Sequence, residues 1–273
     1  MDLVDAYAFP LPIAVISELL GVPYEDRDQV RIWSHAFVTD STLDGESKAR
    51  AGQDWFAYLV ALIEEKRSAP GPDLLSALIE ESQDNDRLDP QELISMVFLL
   101  MLAGHETTVS LIGNAVYALL RHPEQLERLR ADPALLPGAV EEVLRYESPV
   151  HIPSRRVTLE RVTIGDVEIP AGQFVHFSLS AVNRDGNKYP DPARFDITRD
   201  ARGHLAFGHG IHFCVGAPLA RMEGEIALRK LLERYPRLEL GAQDPSFSRR
   251  TSMLVYSLKS LPVSFSTATS APA

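Results

Sequence analysis

FGHGIHFCVGAPLAR, residues 207–221, holds the only cysteine of a 273-residue chain. Gly208, Gly210 and Gly216 crowd around Cys214, and the pattern that follows predicts a helix from Pro218 to Tyr235. The first turn of a helix carries backbone N–H groups without intrahelical partners, and its dipole is positive at that end. Both favour an anion, so a thiol placed just ahead of the helix is biased toward its thiolate. The glycines suggest that the backbone passes close to something flat or bulky, where a Cβ would collide.

A thiolate with open space beside it can be a nucleophile, a zinc ligand or an axial haem ligand. The plainest alternative is a buried structural cysteine, because free Cys is among the most buried residue types. Zinc has His204, His209, His212 and Cys214 close in sequence. Their spacing matches no usual ligand pairing, and zinc leaves the glycines unexplained. A nucleophilic thiol needs a base and an oxyanion site, which nothing in this stretch nominates. The stretch by itself favours haem and leaves the other readings open.

Upstream, the first two-thirds of the chain is helical in pattern. DLVDAYAFPLPIAVISELLGVP suggests a helix broken near Pro10 and Pro12 and ending at Gly21. Further amphipathic helices are expected over 24–37 and 47–67, with another after an Asp73 cap. Asp89-Pro90-Gln91-Glu92 is a strong start signal, with Asp as N-cap, Pro at the first helical position and Glu at the third. No proline follows until Pro123, so that helix runs about 30 residues, and its apolar faces mark it as the centre of a core. Shorter helices are expected from Pro123 to Arg130 and from Pro137 to Tyr146. Residues 155–180 alternate and carry turn residues at Gly165-Asp166 and Pro170-Ala171-Gly172, which predicts a small antiparallel sheet. RLELG, MLVYSL and LPVSFS near the C-terminus read as strands. The expected fold class is mostly α with small β-sheets, in one domain over 1–263 with a disordered tail over 264–273.

Composition narrows the function. Net charge is −11, from 27 basic and 38 acidic residues, with no basic run, which argues against nucleic acid. A single cysteine excludes an internal disulfide and points to a reducing, cytoplasmic setting. The N-terminal MDLVDAYAFPLPIAV lacks the basic residues of a signal peptide. The most apolar run, Leu93 to Ala103, spans only about 16 Å as a helix, too short for a bilayer.

Within the long helix, Ala103-Gly104-His105-Glu106-Thr107-Thr108 places a glycine, an acid and a hydroxyl in an otherwise apolar stretch. Gly in mid-helix costs up to about 1 kcal/mol relative to Ala, so it has a reason, such as room for a ligand or water. Buried polar groups need partners, and Glu106 with Thr107 could relay protons into that space. The bland alternative has Thr107 bonding back to a helix carbonyl and Glu106 reaching solvent.

Phe207, Gly210, Cys214 and Gly216 stand at F-x-x-G-x-x-x-C-x-G spacing, and in this the chain resembles the cytochrome P450 family of the soluble bacterial type. The family's A/G-G-x-D/E-T-T/S pattern is matched by residues 103–108, and its E-x-x-R by Glu142 and Arg145. The resemblance covers nearly the whole chain but only the C-terminal two-thirds of the family's domain, the N-terminal part lacking. It implies the P450 fold, with a long central helix and a haem-thiolate loop, and a haem b cofactor whose iron is held by Cys214. Phe207, Gly208, Gly210, Gly216, Ala103, Gly104 and Ala220 would line the haem. His212 and Arg156 correspond to partners of its propionates, although Arg156 could equally be a surface arginine paired with an acid. Glu106 and Thr107 would manage protons. Leu99, Leu102, Ile152, Leu254 and Val255 correspond to substrate-facing positions, and Arg194 would join Glu142 and Arg145 in a structural network. Arg161 stands where bacterial relatives usually have an acid.

What the resemblance implies is a monooxygenase that inserts one oxygen atom of dioxygen into a small, largely apolar organic substrate of specialised metabolism. Electrons would come from a ferredoxin or flavodoxin partner served by an NAD(P)H reductase. The alternative function is a non-catalytic remnant or partner-binding fragment, with a zinc-binding domain a distant third.

Overall fold

The computed structural model describes residues 1–38, 44–85, 88–241, 249–250, 252 and 254–266. Its helices in chain order are α1 (Pro10–Leu20), α2 (Arg27–Val38), α3 (Gly45–Ser68), α4 (Leu74–Asn85), α5 (Pro90–Arg121), α6 (Pro123–Ala131), α7 (Leu136–Tyr146), α8 (Leu179–Val182) and α9 (Ala217–Arg234). The strands are β1 (Arg156–Val157), β2 (Val162–Ile164), β3 (Val167–Ile169), β4 (Phe174–Val175), β5 (Arg237–Leu240) and β6 (Val263–Ser266).

Helix α5 organises the molecule. Its start is fixed by a reciprocal capping box: Asp89 accepts from the N–H groups of Gln91 and Glu92, both at 2.8 Å, and Glu92 accepts from the Asp89 N–H at 2.9 Å. It ends at His122, where Pro123 opens α6. By length and composition α5 could cross a membrane, but it is the core helix here, with α1, α3, α7 and α9 packed around it. Leu93, Val97, Met101, Ile112, Val116 and Leu119 fill the centre, and His105, Glu106 and Asn114 are buried with them. Buried polar groups at these positions require partners from other elements, which ties α5 to distant parts of the chain.

The strands form three two-stranded antiparallel sheets: β1 with β4, β2 with β3, and β5 with β6. Gly165, at φ +58°, makes the tight turn between β2 and β3.

Three expectations need correction. The N-terminal break falls between a π-helical turn, Val4–Ala8, and Pro10; Pro12 stays inside the first turn of α1, where no intrahelical N–H bond is lost. MLVYSL forms no regular strand among its described residues, only isolated bridges of Val255 to Val150 and Leu258 to Arg249. The tail expected from Ser264 begins later, because Ser264, Phe265 and Ser266 pair with Glu239, Leu238 and Arg237; residues 267–273 lie outside the described set. Arg161, the departure from the bacterial pattern, pairs with Glu168 at 3.2 Å on the exposed β2–β3 hairpin.

Candidate active site

The loop ahead of α9 is closed by its own backbone. The Cys214 N–H donates to Phe207 O at 2.8 Å, and the Ala217 N–H donates to Cys214 O at 3.3 Å. Gly208 and Gly210 have φ of +74° and +66°, a region disfavoured for side-chain-bearing residues. A Cβ on Gly208 would also approach His212 O to 3.0 Å. Cys214 is exposed and Gly216 caps α9 directly after it. Its thiol is therefore no buried structural cysteine.

Cys214 looks onto a cavity of about 280 Å³ with a lining that is mostly apolar. Ala103, Gly104, Thr107 and Thr108 of α5 form one wall. Phe207, Gly208, His212 and Gly216 form another, with Leu219, Ala220 and Glu223 of α9 beside them. Leu144, Pro149, Val150, Pro153 and Leu179 close the sides. The structure thus brings Cys214, His212, Phe207, Gly208, Gly216, Ala103, Gly104, Thr107 and Ala220 to one space. Gly210 shapes the loop without lining it.

Thr107 lines the cavity while its hydroxyl donates to Ala103 O at 2.8 Å, so the back-bonded alternative holds for this residue. Glu106 points elsewhere. It is buried, accepts from Arg250 Nη1 at 2.9 Å and from Ser34 Oγ at 3.4 Å, and lies 3.7 Å from His105 Nε2. Burial alone would push its carboxyl up; neighbouring His105 and Arg250 outweigh burial and hold it at about 2. The expectation that Glu106 opens into the cavity is corrected: successive helical residues point about 100° apart, and Glu106, on the other side of Thr107 from Thr108, faces the core. Gly104 is also explained differently. A Cβ there would meet the Ile16 side chain at 2.7 Å, so glycine admits α1 against α5.

The Glu142–Arg145 pair is fully buried and bidentate, at 2.7 and 2.8 Å. Arg145 also donates to the carbonyls of Asn183, Pro192 and Arg194, and Glu142 accepts from the Asp196 N–H at 2.9 Å. The expected role of the Arg194 side chain is corrected: it is 65 % exposed and pairs with Asp196, so only its carbonyl joins the network. The second guanidinium is that of Arg199, 3.4 Å from Glu142.

One brace was missed in the sequence. Glu141, next to Glu142, accepts from Arg221 Nε at 2.5 Å and Nη2 at 3.0 Å, and lies 3.1 Å from His204 Nε2. Burial pushes the Glu141 carboxyl up, but the His204 and Arg221 hydrogen bonds win and hold it at about 2. Its two partners flank the cysteine loop. Arg221 also lies over the Phe207 ring at 4.5 Å. The available signal was weak, since Glu-Glu on a helix ordinarily reads as a solvated face.

The other expected positions do not line the cavity. Arg156 donates to Ser154 O and Oγ, both at 2.8 Å, and has no acidic partner among the described residues. Leu99 continues the stripe of Ala103 and Thr107 one turn further and emerges, 60 % exposed, at the surface. Leu102 and Ile152 are half-buried, Leu254 is exposed, and Val255 is buried in its bridge to Val150. The apolar positions that do face the cavity, Val150 and Pro153 among them, lie beside those expected. His204 is committed to Glu141, and no group of three or more His, Cys, Asp or Glu able to hold a metal ion exists among the described residues, so the zinc reading gains no support from them.

With this geometry in hand, comparison with known proteins is specific. Residues 25–265 match the family profile described as Cytochrome P450. The chain is 55 % identical over 263 residues to Cytochrome P450 107B1 of Saccharopolyspora erythraea, covering 96 % of this chain and 64 % of that protein. It is 51 % identical to the Cytochrome P450 monooxygenase PikC of Streptomyces venezuelae, covering 96 % and 63 %. The tirandamycin C-bound P450 monooxygenase TamI superposes with a TM-score of 0.91 at 47 % identity, over 97 % of this chain and 65 % of that one. The chain therefore spans a little under two-thirds of the length of these relatives.

Proposed function

The chain belongs to the cytochrome P450 family, and from that premise we propose that its cavity serves a haem-thiolate monooxygenase acting on a largely apolar organic substrate. The family implies haem iron held by a cysteine thiolate, and the residues present fit that group. An exposed sulfur faces an apolar space, and a Cβ on Gly216 would meet only Cys214 Sγ, at 3.9 Å, so room beside the sulfur is open. Cys214 would hold the iron, Phe207 and the glycines would border the group, and His212 would serve its propionates. Arg156, held to Ser154 through Nη1, does not line the cavity.

When bound, haem with a thiolate ligand favours cleavage of the O–O bond of dioxygen. The chain's own contributions are separate. The backbone bond from Cys214 to Phe207 fixes the sulfur, and Arg221, anchored on Glu141, adds positive charge close to Cys214. Val150, Pro153 and Leu179 exclude water and leave the substrate little to contact except carbon. Thr107 supplies a hydroxyl at the cavity wall. Two electrons and two protons accompany each oxygen inserted, the second oxygen atom leaving as water. We assign the electrons to a ferredoxin or flavodoxin with its reductase, and the substrate to specialised metabolism, as the names of the relatives suggest.

The observation that carries this reading is the exposed Cys214 thiol facing an apolar cavity at the start of α9. Its test is the carbon monoxide difference spectrum of the 273-residue chain, expressed with ample haem and reduced with dithionite. A strongly red-shifted Soret band is the expected result. A band at the position of a histidine or neutral ligand would overturn the assignment of Cys214 for this chain and favour a partner-binding fragment.

A further inference from the structure

Asn114 is fully buried in α5, about two turns beyond Thr107, in a stretch of the helix that is otherwise apolar. Its Nδ2 donates to two backbone carbonyls, Glu147 O and Tyr256 O, each at 3.0 Å. The acceptors lie 33 and 142 residues away in sequence. Only the NH2 end of the amide can meet two carbonyls, so Oδ1 is turned away and has no partner among the described residues. That unmet oxygen costs stability, and the two carbonyls decide the orientation in spite of it.

Both carbonyls belong to chain segments that build one side of the cavity. Pro149 and Val150, which line it, follow Glu147 closely in the chain. Val150 bridges Val255, the Tyr256 N–H donates to Pro149 O at 2.7 Å, and the His151 N–H donates to Leu254 O at 3.3 Å. A two-stranded pairing this short is marginal alone. Asn114 pins both of its strands to α5. Glu106 adds a second attachment about 12 Å back along the same helix, through Arg250, whose N–H donates to Ser257 O at 3.0 Å.

A purely structural role accounts for half of this. Glu147 closes α7, and the carbonyls at a helix end lack intrahelical partners, so one Asn114 donor serves as a cap. The donor on Tyr256 has no such explanation.

We infer that Asn114 is a specificity-determining positioning residue. It does not line the cavity, but by tying residues 147–150 and 254–257 to α5 it sets how closely the Val150 wall approaches the Thr107 wall, and so the width of substrate admitted. The role in substrate choice rests on the monooxygenase reading above. The tie itself does not.

Hydrogen exchange of the haem-free chain tests the tie. Asn114→Leu removes both donors, and the Tyr256 and His151 amides should then exchange about tenfold faster or more. The Gly241 amide, which donates to Pro262 O at 2.8 Å in the distant β5–β6 pairing, should change much less. A uniform rise at all three amides, or no rise at the first two, overturns the inference. Should Asn114→Leu fail to fold, Asn114→Ser, whose hydroxyl can meet only one carbonyl, must show the same selective pattern in smaller measure. Native exchange in Asn114→Ser overturns the inference equally.

In the haem-loaded enzyme, optical titration with imidazole and with 4-phenylimidazole reads the width. Both probes bind haem iron through a ring nitrogen, but only the second needs room between the walls for a further ring. Asn114→Leu should keep the haem spectrum and the imidazole affinity while the ratio of the two affinities shifts several-fold. Asn114→Gln, which retains the donors on a longer stem, should recover part of the native ratio. An unchanged ratio in Asn114→Leu rejects the specificity role. Failure of the native chain to load haem, by contrast, counts against the monooxygenase reading and leaves the exchange result standing.

Discussion

Arg221 donates both Nε and Nη2 to the carboxylate of Glu141, at 2.5 and 3.0 Å, across 80 residues of sequence. His204 meets the same carboxylate, so one acid on α7 ties the chain on either side of the cysteine loop. Glu142, one residue on, secures the segment between Asn183 and Arg199 through Arg145 and Arg199. Adjacent acids thus brace two different stretches leading to the same site.

Glu141→Gln should therefore loosen the loop. Charge-assisted hydrogen bonds contribute about 1.5–3 kcal/mol each when well buried, and partial exposure of Arg221 reduces this to a loss of about 1–2 kcal/mol. Because the folded-state carboxyl lies at about 2 and its ordinary value is 4.5, the stabilisation is present above pH 4.5 and fades as pH falls toward 2. Thermal melts of native and variant chains should converge over that interval. A constant gap down to pH 2 would reject the brace.

Glu223 has the reverse sign. Burial pushes its carboxyl up to about 7, so its contribution is most favourable below 4.5 and is lost as pH rises through 7. Glu223→Gln should melt a few degrees above the native chain at pH 8 and close to it at pH 4. Equal melting temperatures at both would show that burial does not penalise the ionised acid.

Gly104→Ala sets helix propensity against packing. The alanine gains up to about 1 kcal/mol in α5, but its Cβ meets Ile16 at 2.7 Å, and overpacking costs about 1–3 kcal/mol. Net destabilisation is expected, relieved by Ile16→Ala in the same chain. Chemical denaturation checks both, and failure of the second change to compensate would place the strain elsewhere.

Arg145→Leu leaves the Glu142 carboxylate buried with Arg199 and the Asp196 N–H but without its bidentate partner, and should cost about 3–5 kcal/mol, as for other broken buried ion pairs. Arg194→Ala, whose guanidinium lies in solvent, should change stability by less than about 0.5 kcal/mol. Comparable losses in the two variants would restore the Arg194 side chain to the network.

Cys214→Ser should leave the haem-free chain as stable as the native one to within about 0.5 kcal/mol, since the side chain is exposed. The loaded protein should lose the thiolate spectrum altogether. Thr107→Ala should retain that spectrum and divert electrons to peroxide, measured as the ratio of product to peroxide.

What was legible in the sequence was local. Asp89, Pro90 and Glu92 announce the start of α5 because all the atoms of a capping box lie within four residues. The glycines around Cys214 report backbone angles that few other residues adopt. The direction of Glu106 was not legible, because its partner Arg250 lies 144 residues away and only the fold decides which face of α5 it meets. The same holds for the space around Gly104, which Ile16 fills. Glu223 looked like one more charge in RMEGEIALRK; its burial depends on α5 and α7 closing over it.

Helix α5 carries its cavity wall and its core contacts on interleaved residues: Ala103, Gly104, Thr107 and Thr108 toward the space beside Cys214, His105, Glu106 and Val109 toward the interior. This constrains how the chain can change over evolutionary time. Inserting or deleting one residue in the middle of α5 turns one part of the helix against the other by about 100°, exchanging wall for core and stranding Glu106 from Arg250. Substitutions along a single stripe can reshape the cavity, but length changes in this helix cannot. Tolerance to insertion belongs instead to exposed turns such as Gly165-Asp166, where an added residue disturbs neither set.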